Sequence, residues 1–301
     1  MPIRLMENFR AVFYAPYYAT HALGFYQREG VEVELLTSDA PGDAVPKLLD
    51  GSIQVTWGGP MRVMKAHDQD KHSPLQSFCE VVSHDPFFLI GKRGATPFQL
   101  AELTSKRFAT VSEVPTPWMC LQQDLRDAGL DPAKLQRFSD RAMTRNYHAL
   151  QAGDIDVMQA FEPFVSMAEK DGAGDILYAA SLRGPTAYTA FIATREACAT
   201  YRNEFAAMTR ATAKMLAWLY ASPAEDLAKA VATFFPDIPA DILVRSLGRY
   251  KDAGLWSRET RMIPQGFARL AQSLHSGGFI SRMPGYDECV EPALNGITSG
   301  H

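Results

Sequence analysis

The chain has 301 residues, long for one hydrophobic core and suited to two domains. It is 47% hydrophobic and 21% charged, as an ordinary globular protein is. A net charge of −4 without a basic run argues against a nucleic-acid footprint, and no apolar stretch is long enough to span a membrane.

Met1-Pro2-Ile3-Arg4-Leu5-Met6 leads almost directly into a strand over residues 3 to 7. No charged region, apolar core and cleavage site precede it, so no signal peptide is visible. The expectation is a cytoplasmic protein, or a periplasmic one whose leader has been removed. Phe13 to Gly30 reads as one helix, with Tyr17, Tyr18, His21, Ala22, Phe25 and Tyr26 at helical spacing. Val31 to Leu36 alternates as a second strand. Ala44 to Leu49 is a short helix, Ile53 to Trp57 a third strand, Met61 to Asp68 a helix and Gln76 to Val82 a fourth strand.

The character changes around Ser83-His84-Asp85-Pro86. Phe87 to Lys92 is a strongly apolar strand, and Thr96 caps a helix whose first position is Pro97. A strand over Arg107 to Val111 leads through Ser112-Glu113-Val114-Pro115 into a helix capped by Thr116 and ending at Gly129. Asn146 to Ala152 is helical, and Ile176 to Ala179 is a strand. Ala187 to Thr194 reads as a returning strand. Beyond Glu196 the chain is nearly all helix, with segments at Phe205 to Tyr220, Ala224 to Phe235, Asp241 to Tyr250 and Ile263 to His275.

One stretch occurs twice. Leu49-Asp50-Gly51-Ser52-Ile53-Gln54-Val55-Thr56-Trp57-Gly58-Gly59-Pro60 is echoed by Leu150-Gln151-Ala152-Gly153-Asp154-Ile155-Asp156-Val157-Met158-Gln159-Ala160-Phe161-Glu162-Pro163. Each reads as a helix end, a glycine stop in the left-handed region, a buried strand, and a proline opening the next helix. The repeat implies two similar α/β lobes. Short crossings near residues 85 and 188 would join them as a hinge, giving a lobe of 1–85 plus 189–301 and a lobe of 86–188. Ligands of such sheets sit beyond the carboxyl ends of the strands.

That rule nominates loop residues. In the first lobe they are Glu7, Asn8, Arg10 and Tyr14, then Trp57, Gly58 and Gly59, then Ser83, His84 and Asp85. In the second they are Ser112, Glu113, Val114 and Thr116, then Asp140 and Arg141, then Phe161 and Glu162. Thr186 and Tyr188 stand at the return crossing. Gly58-Gly59 before a helix could offer bare N–H groups to an anion. Glu7, Asp85, Glu113 and Glu162, if they face the cleft, favour a cationic ligand or an aminopyrimidine donating to a carboxylate. Arg10 and Arg141 could pair with these acids or hold a ligand's carboxylate or phosphate. Trp57, Phe161, Tyr14 and Tyr188 could stack on a flat ligand; the plain alternative for each is lobe core. His84 beside Asp85 could act as a base, but no nucleophile or metal set accompanies it, so no catalytic residue is assigned. Cys79, Cys120, Cys198 and Cys289 lack metal spacing and read as buried hydrophobes, though their even number leaves disulfides open.

At this point the residues resemble a family. Tyr14 through Leu35, Lys47 through Val55, Gln99 through Val111, and Gly153-Asp154-Ile155-Asp156-Val157 with Phe161-Glu162-Pro163-Phe164 are similar, in order, to NMT1/THI5-like solute-binding proteins, among them the SsuA-like aliphatic-sulfonate and the thiamine-pyrimidine binding proteins of ABC importers. The resemblance implies a type II periplasmic-binding-protein fold: two Rossmann-like lobes, two hinge strands and a helical C-terminal tail. It implies capture of a small molecule, pyrimidine-like or sulfonate-like, and delivery to an ABC transporter permease. No cofactor or metal is expected, and the chain would be a monomer. Glu7-Asn8-Phe9-Arg10 departs from the family's usual start, and the cysteine motif of the yeast-type pyrimidine synthases is absent. The alternative is a cytosolic enzyme on the same fold, of pyrimidine synthase, decarboxylase or desulfinase type.

Overall fold

The computed structural model of the chain describes residues 1–38 and 40–297. Its first half runs β1 (Ile3–Met6), α1 (Ala15–Ala22), α2 (Phe25–Arg28), β2 (Val33–Leu36), α3 (Ala44–Leu49), β3 (Val55–Gly58), α4 (Met61–Gln69) and β4 (Leu75–Val82). Then come β5 (Phe88–Gly91), β6 (Phe108–Ala109), α5 (Thr116–Asp127), β7 (Arg137–Phe138), α6 (Met143–Ala152), β8 (Val157–Ala160), α7 (Phe164–Asp171) and β9 (Asp175–Ala179). The chain finishes with β10 (Thr189–Thr194), α8 (Arg195–Thr200), α9 (Arg202–Ala221), α10 (Ala224–Val231), α11 (Ala240–Asp252), α12 (Pro264–Ser276) and α13 (Tyr286–Cys289).

Two five-stranded sheets result, ordered β2-β1-β3-β10-β4 and β7-β6-β8-β5-β9. Each is the other's counterpart. In both, the first three strands are parallel and the fourth runs antiparallel to its neighbours. The central strands β3 and β8 are the ones that follow the repeated motif. Gly51 and Gly153 stop α3 and α6 with φ of 77° at both, and Pro60 and Pro163 stand immediately before α4 and α7. The antiparallel fourth strand in each sheet, β10 or β5, is the one that arrives from the other sheet.

Some boundaries move for local reasons. The long helix expected over Phe13 to Gly30 breaks at Gly24, whose φ of 72° ends α1 and starts α2. Thr96 does not cap a helix. The capping box is Gln99 with Glu102, and it opens a 3-10 segment at Leu100–Ser105. The two-residue β7 was too short to show a period. Edge strand β4 carries a bulge at Cys79, a non-glycine residue at φ 54°, so that adjacent Phe78 and Cys79 both enter the larger apolar cluster. Chain from the tail covers this edge: Ser257 N donates to Val81 O at 2.8 Å and Glu80 N to Thr260 O at 2.9 Å. All four cysteines are free and buried, and burial pushes each thiol up to about 12.

The tail helices straddle both sheets. α9 packs on α1 and α2, α11 packs on α7, and α12 packs on α5. Tyr250 of α11 accepts from Glu162 N at 2.9 Å and donates to Pro86 O at 3.1 Å, touching the end of β8 and the first crossing at once.

The crossings themselves meet at Arg183. Its guanidinium donates to Asp85 of the first crossing and to both oxygens of Asp124 on α5, with Nε at 2.9 Å from Oδ1. Asp85 is completely buried, and its other oxygen accepts from Phe87 N at 2.9 Å. Burial opposes charge on Arg183, but the two aspartates outweigh it and hold the guanidinium well above its ordinary pKa. Removing one member of such a group strands the others without a partner. Arg183→Met is therefore expected to cost about 3–5 kcal/mol in urea unfolding. Adding Asp85→Asn and Asp124→Asn should recover most of that; no recovery would show the node matters for another reason.

A second buried acid gives a pH dependence. Glu80 is 2% exposed, with no ion pair among the described residues, and burial raises its carboxyl well above the usual range. Below the unfolded-state pKa of about 4.3 both states hold the proton, and nothing is lost. Above it the unfolded chain ionises first, so stability falls with rising pH, by at most about 1.4 kcal/mol per unit for one group. Urea midpoints measured from pH 4.5 to 8 should decline less steeply for Glu80→Gln than for the parent chain. Parallel curves would remove Glu80 from the account.

Candidate functional site

The carboxyl ends of β3 and β8 come to a shared cleft, and aromatic rings close it. Phe161, just past β8, packs edge-on against Phe13 at 5.3 Å and Phe87 at 5.2 Å, and lies 6.4 Å from Phe9. Phe13 also meets Tyr188 edge-on at 6.4 Å and Tyr14 at 4.3 Å. Edge-to-face pairs add to the burial of their rings, and here they knit together residues from both lobes proposed from the sequence.

A small cavity of about 30 Å³ remains, lined by residues of both strand-end sets. That volume holds one or two water molecules. Asn8, Tyr14, Gly59, Val114, Thr116 and Tyr188 line it, and all six were nominated by the strand-end rule. Phe9, Phe13, Met61, Arg62, Phe87 and Pro115 were not nominated. Met61 and Arg62 form the first turn of α4, directly after the nominated Gly59. Carrying the rule one helical turn further would have found them. Phe13 was read as the start of an ordinary helix, and Phe87 as plain strand.

The other nominated residues are engaged elsewhere. Glu7 is buried and clamped by Arg10, with Nε to Oε2 at 3.0 Å and Nη2 to Oε1 at 2.9 Å, while Tyr18 donates to it as well. Glu162 is fully buried and accepts from Arg249 Nε at 2.6 Å, Ser166 N and Oγ at 2.9 Å, and Ser246 Oγ at 3.2 Å. Its face is turned to α11. Glu113 is exposed and accepts from Met143 N at 2.8 Å, capping α6. Asp85 serves Arg183. The carboxylates that argued for a cationic ligand are thus taken up by partners of this chain. Arg10 is spent on Glu7, and Arg141 stacks over Phe138 at 5.0 Å beside Asp140.

Trp57 is a core residue: it is fully buried and stacks on Tyr17 at 4.8 Å with rings 4° apart. Gly58 lies within β3, also buried. Phe161 seals the cleft from its side by packing on Phe9, Phe13 and Phe87, with Phe164 behind it in the chain. Ser83 Oγ and His84 Nδ1 are 3.2 Å apart at the crossing, and burial lowers the His84 pKa, with Arg269 adding to the effect. Both oxygens of Asp85 are committed, so it does not orient His84 as a base. Among the described residues, no group of three or more His, Cys, Asp or Glu is placed to hold a metal ion, and no helix is long and apolar enough to cross a membrane.

The remaining polar groups of the cavity are chiefly hydroxyls, each able to donate as well as accept. Tyr14 accepts from Asn8 Nδ2 at 3.3 Å, which leaves its own O–H to donate, and burial pushes that phenol up to about 12. The Tyr188 hydroxyl is buried with no partner among the described residues. Thr116 opens α5 at the cavity wall. Asn8 Oδ1 takes Gly42 N at 3.3 Å, drawing that loop towards the cleft.

The family model described as NMT1/THI5 like matches residues 12–226. A curated relative, the "Putative binding protein YtlA" of Bacillus subtilis (strain 168), is 23% identical over 294 residues, covering 97% of this chain and 88% of its own. Among solved structures, the periplasmic aliphatic sulphonate binding protein SsuA from Escherichia coli superposes with a TM-score of 0.75 at 16% identity, covering 97% of this chain and 98% of that one. The ligand-binding component of an ABC-type import system from Staphylococcus aureus, solved with zinc bound, gives 0.75 at 17% identity, covering 98% and 97%. These likenesses carry the periplasmic-binding-protein fold expected from the sequence. The family match covers more than two thirds of the positions, and the chain belongs to the NMT1/THI5-like family.

Proposed function

We propose that this protein is the solute-binding component of an ABC importer, closing its two lobes on a small molecule and delivering it to a membrane permease. The observation that carries the reading is the shared cavity. Five separate segments, around Asn8–Tyr14, Gly59–Arg62, Phe87, Val114–Thr116 and Tyr188, converge on one interlobe space without a catalytic set. The lobes, taken as 1–85 plus 189–301 and 86–188, would close because ligand contacts to both sides exist only in the closed state. Apolar rings with a few directing polar groups are the usual wall of such a site. Sulfonate-like and pyrimidine-like ligands both suit a flat aromatic slot. The similar structures described as the ligand-binding component of an ABC-type import system and as a periplasmic binding protein support delivery to a permease from outside the cytoplasmic membrane.

The test is a thermal-shift screen of small metabolites, backed by native mass spectrometry of what co-purifies. A one-to-one ligand at 100 times its Kd stabilises by about 2.7 kcal/mol, enough to see as a shift in Tm. Thr116→Leu, which takes up the cavity of about 30 Å³, should abolish that shift while leaving the ligand-free Tm within a few degrees. A full shift in this variant, or conversion of the compound into product, would contradict the reading.

A further inference from the structure

Arg62 is the unexplained charge of the cleft. It stands half-buried in the first turn of α4 and lines the cavity. Among the described residues no carboxylate pairs with it, whereas the arginines around the cleft are all spoken for: Arg10 by Glu7, Arg183 by Asp85 and Asp124, and Arg249 by Glu162 and Glu169. A cation drawn out of water without a counter-charge is a cost to the fold. Desolvation accordingly holds the Arg62 guanidinium below its ordinary pKa, with only the Tyr14 phenol acting the other way. The Gly42 backbone lies close to the guanidinium: a Cβ built on Gly42, which sits at φ 101°, would come within 2.8 Å of Arg62 Nη1.

The rest of the wall brings no opposing charge. Among the described residues, no acidic one lines the cavity. Its directing groups are the Tyr14 and Tyr188 hydroxyls and the Thr116 hydroxyl, all able to donate. Tyr188 is more than nine-tenths buried, and its hydroxyl lacks a partner among the described residues. The other walls, Phe9, Phe13, Met61, Phe87 and Val114, are apolar. A bare inorganic ion would leave them without a partner.

We propose that Arg62 anchors the acid group of the ligand and that the ligand is an organic monoanion with an apolar or aromatic body. The proposal rests on the cleft being the solute site. It chooses between the ligand chemistries that the aromatic slot alone leaves open: the acid-bearing class is taken, and the neutral or cationic pyrimidine class is not. One guanidinium matches one acid group, and the phenylalanine walls hold the body. The ligand supplies a counter-charge that no described residue gives Arg62, so closure on the acid removes a cost as well as adding contacts.

Isothermal titration and thermal shift with benzoate, benzenesulfonate, benzamide, benzylamine and sodium sulfate test this. The two aromatic acids are expected to bind, and the amide, the amine and bare sulfate are expected to bind at least about tenfold more weakly. Arg62→Gln should weaken the acids by about 30-fold or more, the scale of removing one partner of a buried charge pair. It should also raise the Tm of the ligand-free protein, which a purely structural arginine would not do. Benzamide or benzylamine binding as well as benzoate, or Arg62→Gln leaving the acids unaffected, would overturn the proposal and leave the cleft reading standing. If neither acid binds, the proposal fails, and the solute-binding reading fails with it only when no compound of any charge binds.

Discussion

Arg183 ties the two chain crossings to each other and to α5, and the cleft exists in its present geometry because of that node. Asp85 enters from the first crossing, Arg183 from the second, and Asp124 from the helix whose first residue, Thr116, lines the cavity. A buried ion group of this kind contributes little net stability over an apolar equivalent, but a partial one is costly. Its value is geometric. The three groups are satisfied together only when the crossings and α5 keep one arrangement, and that arrangement points β3 and β8 at the same space.

The same accounting, applied to every charge near the cleft, decides the character of the site. Glu7, Asp85, Glu113 and Glu162 look in sequence like an acidic lining. In three dimensions each is occupied by an arginine or a backbone N–H of this chain. Their neutralisation leaves donors and rings as the exposed chemistry, with Arg62 as the charge that the described residues do not balance. α11 belongs to this picture as well. Through Tyr250 and Arg249 it grips the Glu162 corner of β8, so the tail holds the two sheets close over a cavity too small for more than a water or two.

The repeat was legible because its signals are local. A glycine at a helix end and a proline after a strand act within a few residues, and Gly51, Pro60, Gly153 and Pro163 do what such residues do. The matching strand order follows from them. Of the residues the strand-end rule names, Asn8, Tyr14, Gly59, Val114, Thr116 and Tyr188 line the small cavity. Trp57 and Glu162 do not, because position along the chain does not say which way a side chain turns. Trp57 turns into its own lobe, onto Tyr17. Glu162 turns towards a helix roughly eighty residues later in the chain, a contact no local pattern encodes. Arg62 carries no local signal: it stands just past the strand end in the first turn of a helix, and the approach of the Gly42 loop is a feature of the fold.

The most direct check of the whole account is a crystal structure of the protein with its tightest-binding small molecule. The account predicts density between the two sheets, an acid group on Arg62, and a body held by Phe13, Phe87 and Tyr188, with the Arg183 node intact. Density on an outer face of either sheet, or a bound molecule whose charged group turns away from Arg62 towards a carboxylate, would contradict it.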